Sequence, residues 1–242
     1  MELSHEEKSR YERHLIVPDF GEAEQQKLAE SRVLVIGAGG LGSAVLHYLA
    51  AAGVGCIGIV EFDTVSHSNL HRQILYTTHD LGGPKAEIAA ERLMAINPYS
   101  RVITYAVRLD KDNAEAIFSD FDVVVDCTDN YETRYVIDEA CGKLNLPMIY
   151  GSAQEAAGQV SLFHTEGAGS YAALYPEQDE KADALPVGVL SPLPGIVGTI
   201  QALETIKLIA GYGEPLAGRL LTIDAKTMSF QLFELGTAAR EK

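Results

Sequence analysis

Two hydrophobic periods alternate along the first 150 residues. Arg32-Val33-Leu34-Val35-Ile36 is a short, nearly continuous apolar run of β-branched type, as expected of a parallel strand buried on both faces. It ends in Gly37-Ala38-Gly39-Gly40-Leu41-Gly42, after which Val45, Leu46 and Leu49 recur at helical spacing through Ala52. Cys56 to Glu61 reads as a second strand, completing a βαβ unit. Pro84 to Ile96 predicts an amphipathic helix with Pro84 at its first position. Strands are predicted at Arg101 to Val107, Phe121 to Asp126 and Met148 to Gly151, with a helix at Glu132 to Leu144. Ahead of all these, Ser4-His5-Glu6-Glu7 is a capping box that predicts a helix through Arg10 and Arg13, and Glu22 to Glu30 reads as a second polar helix.

After Gly151 the pattern changes. Gln159 to Phe163 and Met228 to Phe233 alternate every second residue, as half-exposed antiparallel strands do, and Arg219 to Asp224 is expected to pair with the latter. Between them lie a long irregular stretch, Thr165 to Pro194, and a helix from Ile196 to Ala210. An irregular segment of that length is expected to be functional or mobile. The predicted fold is α/β: a Rossmann-like, doubly wound sheet, parallel in its N-terminal part, with antiparallel strands added by the C-terminal part. No repeat or linker divides the chain, so residues 1–242 are expected to form one domain, with a nucleotide-binding part at 1–151 and a second part at 152–242.

Composition narrows the function classes. Against 34 Asp and Glu the 242-residue chain carries 19 Lys and Arg, a formal charge of −15, which disfavours bulk binding to nucleic acid. Uninterrupted apolar runs of about 20 residues are absent and the N-terminus is highly charged, so neither membrane insertion nor export is expected. Cys56, Cys127 and Cys141 form no C-x-x-C pair, which fits a reducing cytoplasm. In so acidic a chain, the places where cations gather are informative.

Gly37-x-Gly39-x-x-Gly42 between a strand and a helix has the form of a phosphate-binding turn, and Glu61, 21 residues after Gly40, is placed to accept ribose hydroxyls. Taken alone, these features read most directly as a dinucleotide dehydrogenase, the plainer alternative being a glycine turn with no ligand. Ser68-Asn69-Leu70-His71-Arg72-Gln73, followed by Lys85, moves the reading towards ATP. A triphosphate carries about four negative charges, and attack at its α-phosphorus needs fixed cations to screen them. The plainer alternative is that Arg72 and Lys85 are solvated surface charges. Asp126-Cys127-Thr128-Asp129-Asn130 stands at a strand's carboxyl end, where open α/β sheets bind ligands. Asp129 is a candidate Mg²⁺ ligand or a helix cap, and Asn130 a candidate base or ribose contact. His67 and His71 lack a matching third ligand, and Cys127 reads as a small core residue.

Together with Arg10-Tyr11-Glu12-Arg13-His14, Ala51-Ala52-Gly53-Val54-Gly55, Gly83-Pro84-Lys85, Gly188-Val189-Leu190-Ser191-Pro192 and Gln201-Ala202-Leu203-Glu204, these motifs in this order closely resemble the HesA/MoeB/ThiF family, relatives of ubiquitin-activating enzymes. The resemblance covers nearly the whole chain. It implies a cytoplasmic homodimer that uses ATP and Mg²⁺ to adenylate the C-terminal Gly-Gly carboxylate of a ubiquitin-like sulfur-carrier protein, in thiamine or molybdopterin biosynthesis, with a sulfurtransferase acting downstream. The implied nucleotide-binding set is Gly37, Gly39, Gly40, Gly42, Glu61, Asp63, Ser68, Asn69, Leu70, His71, Arg72, Lys85, Asp129 and Asn130, with Glu61 where many relatives have Asp. Asp129 would position Mg²⁺. Arg13, Arg72, Lys85 and Asp129 would be catalytic, Arg13 reaching the neighbouring subunit's triphosphate in trans.

The sequence departs from that family in two places. Where relatives carry zinc-binding cysteine pairs, Ser170 and Ala173 stand, and the C-terminus ends in Arg240-Glu241-Lys242, so no zinc is expected. The loop cysteine some relatives link to the carrier falls near Ala184, so the chemistry is expected to stop at the acyl-adenylate. The irregular loop from Thr165 to Pro194 is the candidate clamp over the tail. A nicotinamide-dependent oxidoreductase and a non-catalytic scaffold are the alternatives.

Overall fold

A computed structural model of the chain describes residues 2–176 and 188–236. The Ala184 position, much of the candidate clamp and the C-terminal Arg240-Glu241-Lys242 lie outside the described residues.

One eight-stranded sheet runs through both parts of the chain, in the order β3-β2-β1-β4-β5-β6-β7-β8. Its strands are β1 Arg32–Ile36, β2 Cys56–Val60, β3 Arg101–Tyr105, β4 Val123–Asp126, β5 Met148–Gln154, β6 Ala157–Phe163, β7 Arg219–Asp224 and β8 Ser229–Glu234. The first five pair in parallel and the last three join antiparallel, as expected. Side chains on a strand alternate between faces, so β1 serves two cores. Val33 and Val35 pack with Leu46, Leu49, Ile57 and Leu93 on one face, whereas Leu34 and Ile36 pack with Phe118, Val124, Ile137 and Tyr150 on the other. Helices α4 Gly40–Ala52, α5 Lys85–Ile96 and α9 Pro192–Ala210 belong to the first face, and α6 Ala114–Phe118 and α7 Tyr131–Leu144 to the second. Strand order reverses between β1 and β4, the switch point where such sheets open a ligand crevice.

Several predicted boundaries move, each for a tertiary reason. The N-terminal helix breaks at Tyr11 into α1 His5–Arg10 and α2 Glu12–Leu15. Tyr11 is buried, its hydroxyl accepts from Asn97 Nδ2 at 2.8 Å, and its ring lies against Gly53, which ends α4 with φ +89°. Arg10 and Arg13 therefore sit on separate helices. Pro84 has extended backbone and caps α5 instead of opening it. Strand β5 continues to Gln154 and turns through Glu155 into β6. Helix α9 begins at Pro192. By length and composition α9 could cross a membrane, yet it packs into the core and buries Gln201, Glu204 and Thr205. The four-residue α8, Tyr171–Leu174, has its first amides held by Asp138 of α7, and Ser170 caps it at Ala173 N.

Candidate nucleotide and acyl-transfer site

The glycine turn is built to let backbone approach backbone. Gly37 has φ +92°, which a side chain would strain, and a Cβ there would lie 3.0 Å from the Cys127 carbonyl oxygen. A Cβ on Gly42 would stand 2.0 Å from the Gly37 carbonyl oxygen, so only glycine lets α4 start this close to the turn. Helix α4 has Gly39 at its N-cap with no side chain bonded to its first amides. Those N–H groups and the helix dipole face the crevice as an anion-binding end.

Two buried side chains hold the turn in shape. Glu61 Oε2 accepts from Ala38 N at 3.0 Å, and its Oε1 accepts from Phe62 N and Asp63 N at 2.9 Å each. The Tyr76 hydroxyl donates to the Ala38 carbonyl at 2.9 Å. Burial pushes the Tyr76 pKa well up, so it remains a donor. The carboxylate expected to face a ribose thus also braces the turn itself.

The loop after β2 brings the cations in. Backbone N–H groups of Arg72 and Gln73 both donate to the Asn69 carbonyl at 3.0 Å, winding the Ser68-Asn69-Leu70-His71-Arg72-Gln73 segment into a turn. The Arg72 stem passes 3.7 Å from where a Gly40 side chain would begin, and its guanidinium donates to the Ser68 carbonyl at 2.9 Å beside His71. Asn69 Oδ1 accepts from Ser66 N, the Ser68 hydroxyl meets that of Ser66, and Leu70 packs against the core. Gln73 is buried with its Nε2 against Gly39, and its Oε1 has no hydrogen-bond partner. A buried, unpaired amide oxygen at a phosphate turn marks a place where a ligand or bridging water completes the network. Lys85 is almost fully buried, with Nζ 3.2 Å from Asp63 Oδ2.

The turn between β4 and α7 closes the other side. Cys127 N donates to the Ile36 carbonyl, so this strand end abuts the glycine turn. Burial raises the Cys127 thiol well above its usual range, leaving a small core residue. Asn130, not Asp129, caps α7 by accepting from Thr133 N at 2.9 Å, and Asp129 is left exposed at the crevice rim. Asp126 Oδ1 accepts from both the amide and the hydroxyl of Thr128, while the Arg134 guanidinium donates to the Thr128 carbonyl at 2.9 Å and lies 3.5 Å from Asp126 Oδ2. Complete burial pushes the Asp126 carboxyl up, and Arg134 pulls it back. Across the sheet, Gln201 Nε2 donates to the Asp126 carbonyl at 2.6 Å.

Arg72, Lys85, Asp63, Glu61, Asp129 and the glycine turn therefore converge on one crevice, and Arg13 does not. Arg13 is exposed on α2, whose neighbours Tyr11 and His14 are tied to Asn97, Gln25 and thereby Ala52 at the far end of α4. The thirteen residues of α4 separate it from the turn by about 20 Å. Tyr76 and Arg134 were not marked by the sequence, and Gln201 only as part of a resembling motif with no role attached. Only Asp126 offered a signal, since a carboxylate at the end of an all-apolar strand needs a cation nearby. Among the described residues no cluster of three or more His, Cys, Asp or Glu is placed to hold a metal.

The sequence and the fold recur among known proteins. Residues 11–242 match the ThiF family. The chain is 45% identical over 240 residues to the sulfur carrier protein adenylyltransferase of Thermus thermophilus, covering 96% of this chain and 88% of that protein. It is 44% identical over 234 residues to a probable molybdopterin-synthase adenylyltransferase of Porphyra purpurea, covering 95% and 61%, and 45% identical over 236 residues to the probable adenylyltransferase/sulfurtransferase MoeZ of Mycobacterium tuberculosis, covering 95% and 60%. The chain thus spans most of the first relative and about 60% of the other two. Its fold superposes on E. coli MccB with MccA-N7isoASN at a TM-score of 0.87 and 22% identity, covering 98% of this chain and 74% of that one. Against E. coli MccB with ATP the TM-score is 0.82 at 23% identity, covering 90% and 68%.

Proposed function

The chain belongs to the ThiF family, and on that premise we propose that it uses ATP to adenylylate the C-terminal Gly-Gly carboxylate of a ubiquitin-like sulfur-carrier protein for thiamine or molybdopterin biosynthesis. The observation that carries this reading is the convergence of Arg72 and buried Lys85 on a glycine turn whose helix N-terminus has no side-chain cap.

The chemistry asks for alignment and charge neutralisation. A carboxylate is already ionised at neutral pH, so no general base is needed. One of its oxygens attacks the α-phosphorus; the bond from that phosphorus to the bridging oxygen breaks, and pyrophosphate leaves with the electron pair. Amides at the start of α4 hold phosphate oxygens, while Arg72 and Lys85 offset the charge gathering on the leaving pyrophosphate. Asp63 holds the Lys85 ammonium in the crevice. Asp129, exposed beside the turn, suits Mg²⁺, which prefers one or two carboxylates plus phosphate oxygens and would supply further charge neutralisation. Glu61 and Tyr76 keep the turn in its binding shape.

The distance between Arg13 and the turn in one chain supports a homodimer in which Arg13 acts in trans. Exposed Ile16 and Val17 beside Arg13, and Phe62 and Ile74 beside the crevice, give each half-site an apolar border suited to such an interface. With all three cysteines buried and the Cys127 and Cys141 thiols raised, the reaction ends at the acyl-adenylate, and a separate sulfurtransferase acts next in the cytoplasm.

The test is exchange of labelled pyrophosphate into ATP with Mg²⁺ and purified sulfur carriers ending in Gly-Gly. Carrier-dependent exchange is expected, falling about 100-fold or more in Arg72→Ala and in Asp129→Ala. Full exchange in both variants would remove their assigned roles. Protection against thermal unfolding by NADH with none by ATP would instead favour a nicotinamide enzyme.

A further inference from the structure

Arg13 is exposed and, among the described residues, makes no hydrogen bond or ion pair, yet its neighbours Tyr11 and His14 are held from the interior. The Tyr11 hydroxyl accepts from Asn97 Nδ2 at 2.8 Å, and the same Nδ2 donates to the Ala50 carbonyl at 2.7 Å. His14 Nδ1 meets Gln25 Oε1 at 3.0 Å, and Gln25 Nε2 donates to the Ala52 carbonyl at 2.7 Å. Asn97 and Gln25 are both fully buried. The two relays close on one spot: a Cβ at Gly53 would stand 2.6 Å from the Tyr11 hydroxyl and 2.8 Å from Gln25 Nε2. Arg10 adds a third tie, its guanidinium donating to the Ile96 carbonyl at 3.0 Å.

Ala50 and Ala52 lie in the last turn of α4, where carbonyls lack partners within the helix. Water could satisfy them. Here two buried amides do so, and each directs a further hydrogen bond to a side chain flanking Arg13, which a helix cap alone does not require. An amide is costly to bury unless its groups are paired, and those of Asn97 are, since Oδ1 accepts from Tyr99 N at 3.2 Å. Asn97 also ends α5. Helices α4 and α5 thus both begin in the crevice, at the glycine turn and at Lys85, and both end beside Tyr11. With 13 and 12 residues they are struts of about 20 and 18 Å, sharing a core of Leu46, Leu49, Ala89 and Leu93.

Resting on the function proposed above, in which Arg13 acts in trans, we propose that Tyr11, Asn97 and Gln25 are positioning residues for Arg13. They peg α2 to the ends of α4 and α5, so the guanidinium a chain gives to its partner stands at a fixed distance from the crevice it keeps. Only the Arg13 side chain is left to move. Most of the cost of ordering the finger is then met on folding and not at the transition state. In a closed two-fold pair the same distance recurs in both sites, so both fingers arrive in register.

The experiment uses the full chain in the exchange assay with Tyr11→Phe, which removes one hydroxyl and keeps the ring, and Gln25→Met, which removes the second relay at similar volume. Each is expected to lower kcat about tenfold or more with the carrier KM within about threefold, since moving an aligned charge by about 1 Å costs up to about 100-fold. Thermal protection by ATP and Mg²⁺ is expected to persist, which establishes that each variant is folded; should Gln25→Met fail that check, Tyr11→Phe decides. Each variant is then mixed with an equal amount of Arg72→Ala or of Arg13→Ala. Arg72→Ala brings a well-placed finger to the variant's intact crevice, so recovery to about a quarter of wild-type exchange is expected, half the dimers being mixed with one complete site in two. Arg13→Ala brings no finger, and that mixture is expected to stay low. Rescue by Arg13→Ala instead would put the damage in the variant's own crevice, and rescue by neither would make it general. Either result, or wild-type kcat in a folded variant, would overturn the positioning role. Absence of exchange with every Gly-Gly carrier in the wild type would overturn the function instead, and an inactive mixture of Arg13→Ala with Arg72→Ala would overturn action in trans, so the failures are distinct.

Discussion

At Glu61 a single carboxylate holds three backbone N–H groups, one from the glycine turn and two from the loop that follows β2. No neutral side chain of the same length can do this. Glu61→Gln replaces one acceptor oxygen by an NH₂ group that must face N–H donors, leaving either the buried Ala38 N–H or the half-buried pair at Phe62 and Asp63 unpaired. Such a loss costs about 1–3 kcal/mol. Urea unfolding of Glu61→Gln is expected to show a deficit of that size, together with weaker thermal protection by ATP because the Ala38 peptide is no longer fixed. An unaltered midpoint with unaltered ATP protection would mean that the turn holds its shape without Glu61. The sequence marked Glu61 by its position after an apolar strand, but not this bracing role, because the spacing of an acidic residue does not say which donors it meets. The same limit applied to Gln73: its motif could be read directly, its unpaired Oε1 only in three dimensions.

Among elements, legibility followed how local the cause was. Glu22–Glu30, Arg32–Ile36 and Arg219–Asp224 match their predicted bounds because each is an unbroken pattern. The helix break at Tyr11, the cap that Asp138 places on α8, and the continuation of β5 to Gln154 all depend on residues far along the chain. Arg134 belongs to this second class: nothing in its neighbours along α7 announces that it sits beneath Asp126. Their pair ties β4 to α7 and so sets where Asp129 stands. Asp126→Asn keeps an acceptor for Thr128 but sets an NH₂ group against the Arg134 Nε–H, donor facing donor in the interior, a change that costs about 1–3 kcal/mol. The pH dependence checks the same contact. With its pKa raised in the folded state above the ordinary value of about 3.9, Asp126 contributes stability that is fully present below that value and is lost as pH rises through the folded one. Urea titrations across that window are expected to show the wild type losing stability relative to Asp126→Asn as pH rises, whatever the net slope set by oppositely shifted carboxylates such as Glu24 and Asp224; a difference that does not change with pH would assign the effect to other groups.

For the whole molecule, the decisive geometry is that one chain carries both halves of the proposed site but at opposite ends of α4. Arg72 lies against the glycine turn and Arg13 about 20 Å away beyond the helix's last residue. In the homodimer proposed above, a closed two-fold pairing would bring each Arg13 to the partner's crevice and would cover the exposed Ile16, Val17 and Ile74. Such a pairing would make activity a property of pairs of chains, and mixing experiments can read it. Arg13→Ala and Arg72→Ala are each expected to be inactive alone, because every site in either homodimer lacks one guanidinium. In a mixed dimer one site loses both arginines and the other keeps both. Random reassortment of equal amounts makes half the dimers mixed, with one complete site in two, so the mixture is expected to recover about a quarter of wild-type pyrophosphate exchange. If Arg13 worked within its own chain, no mixed dimer would contain a complete site and the mixture would stay inactive. The recovered fraction therefore separates action in trans from action in cis without a structure of the dimer.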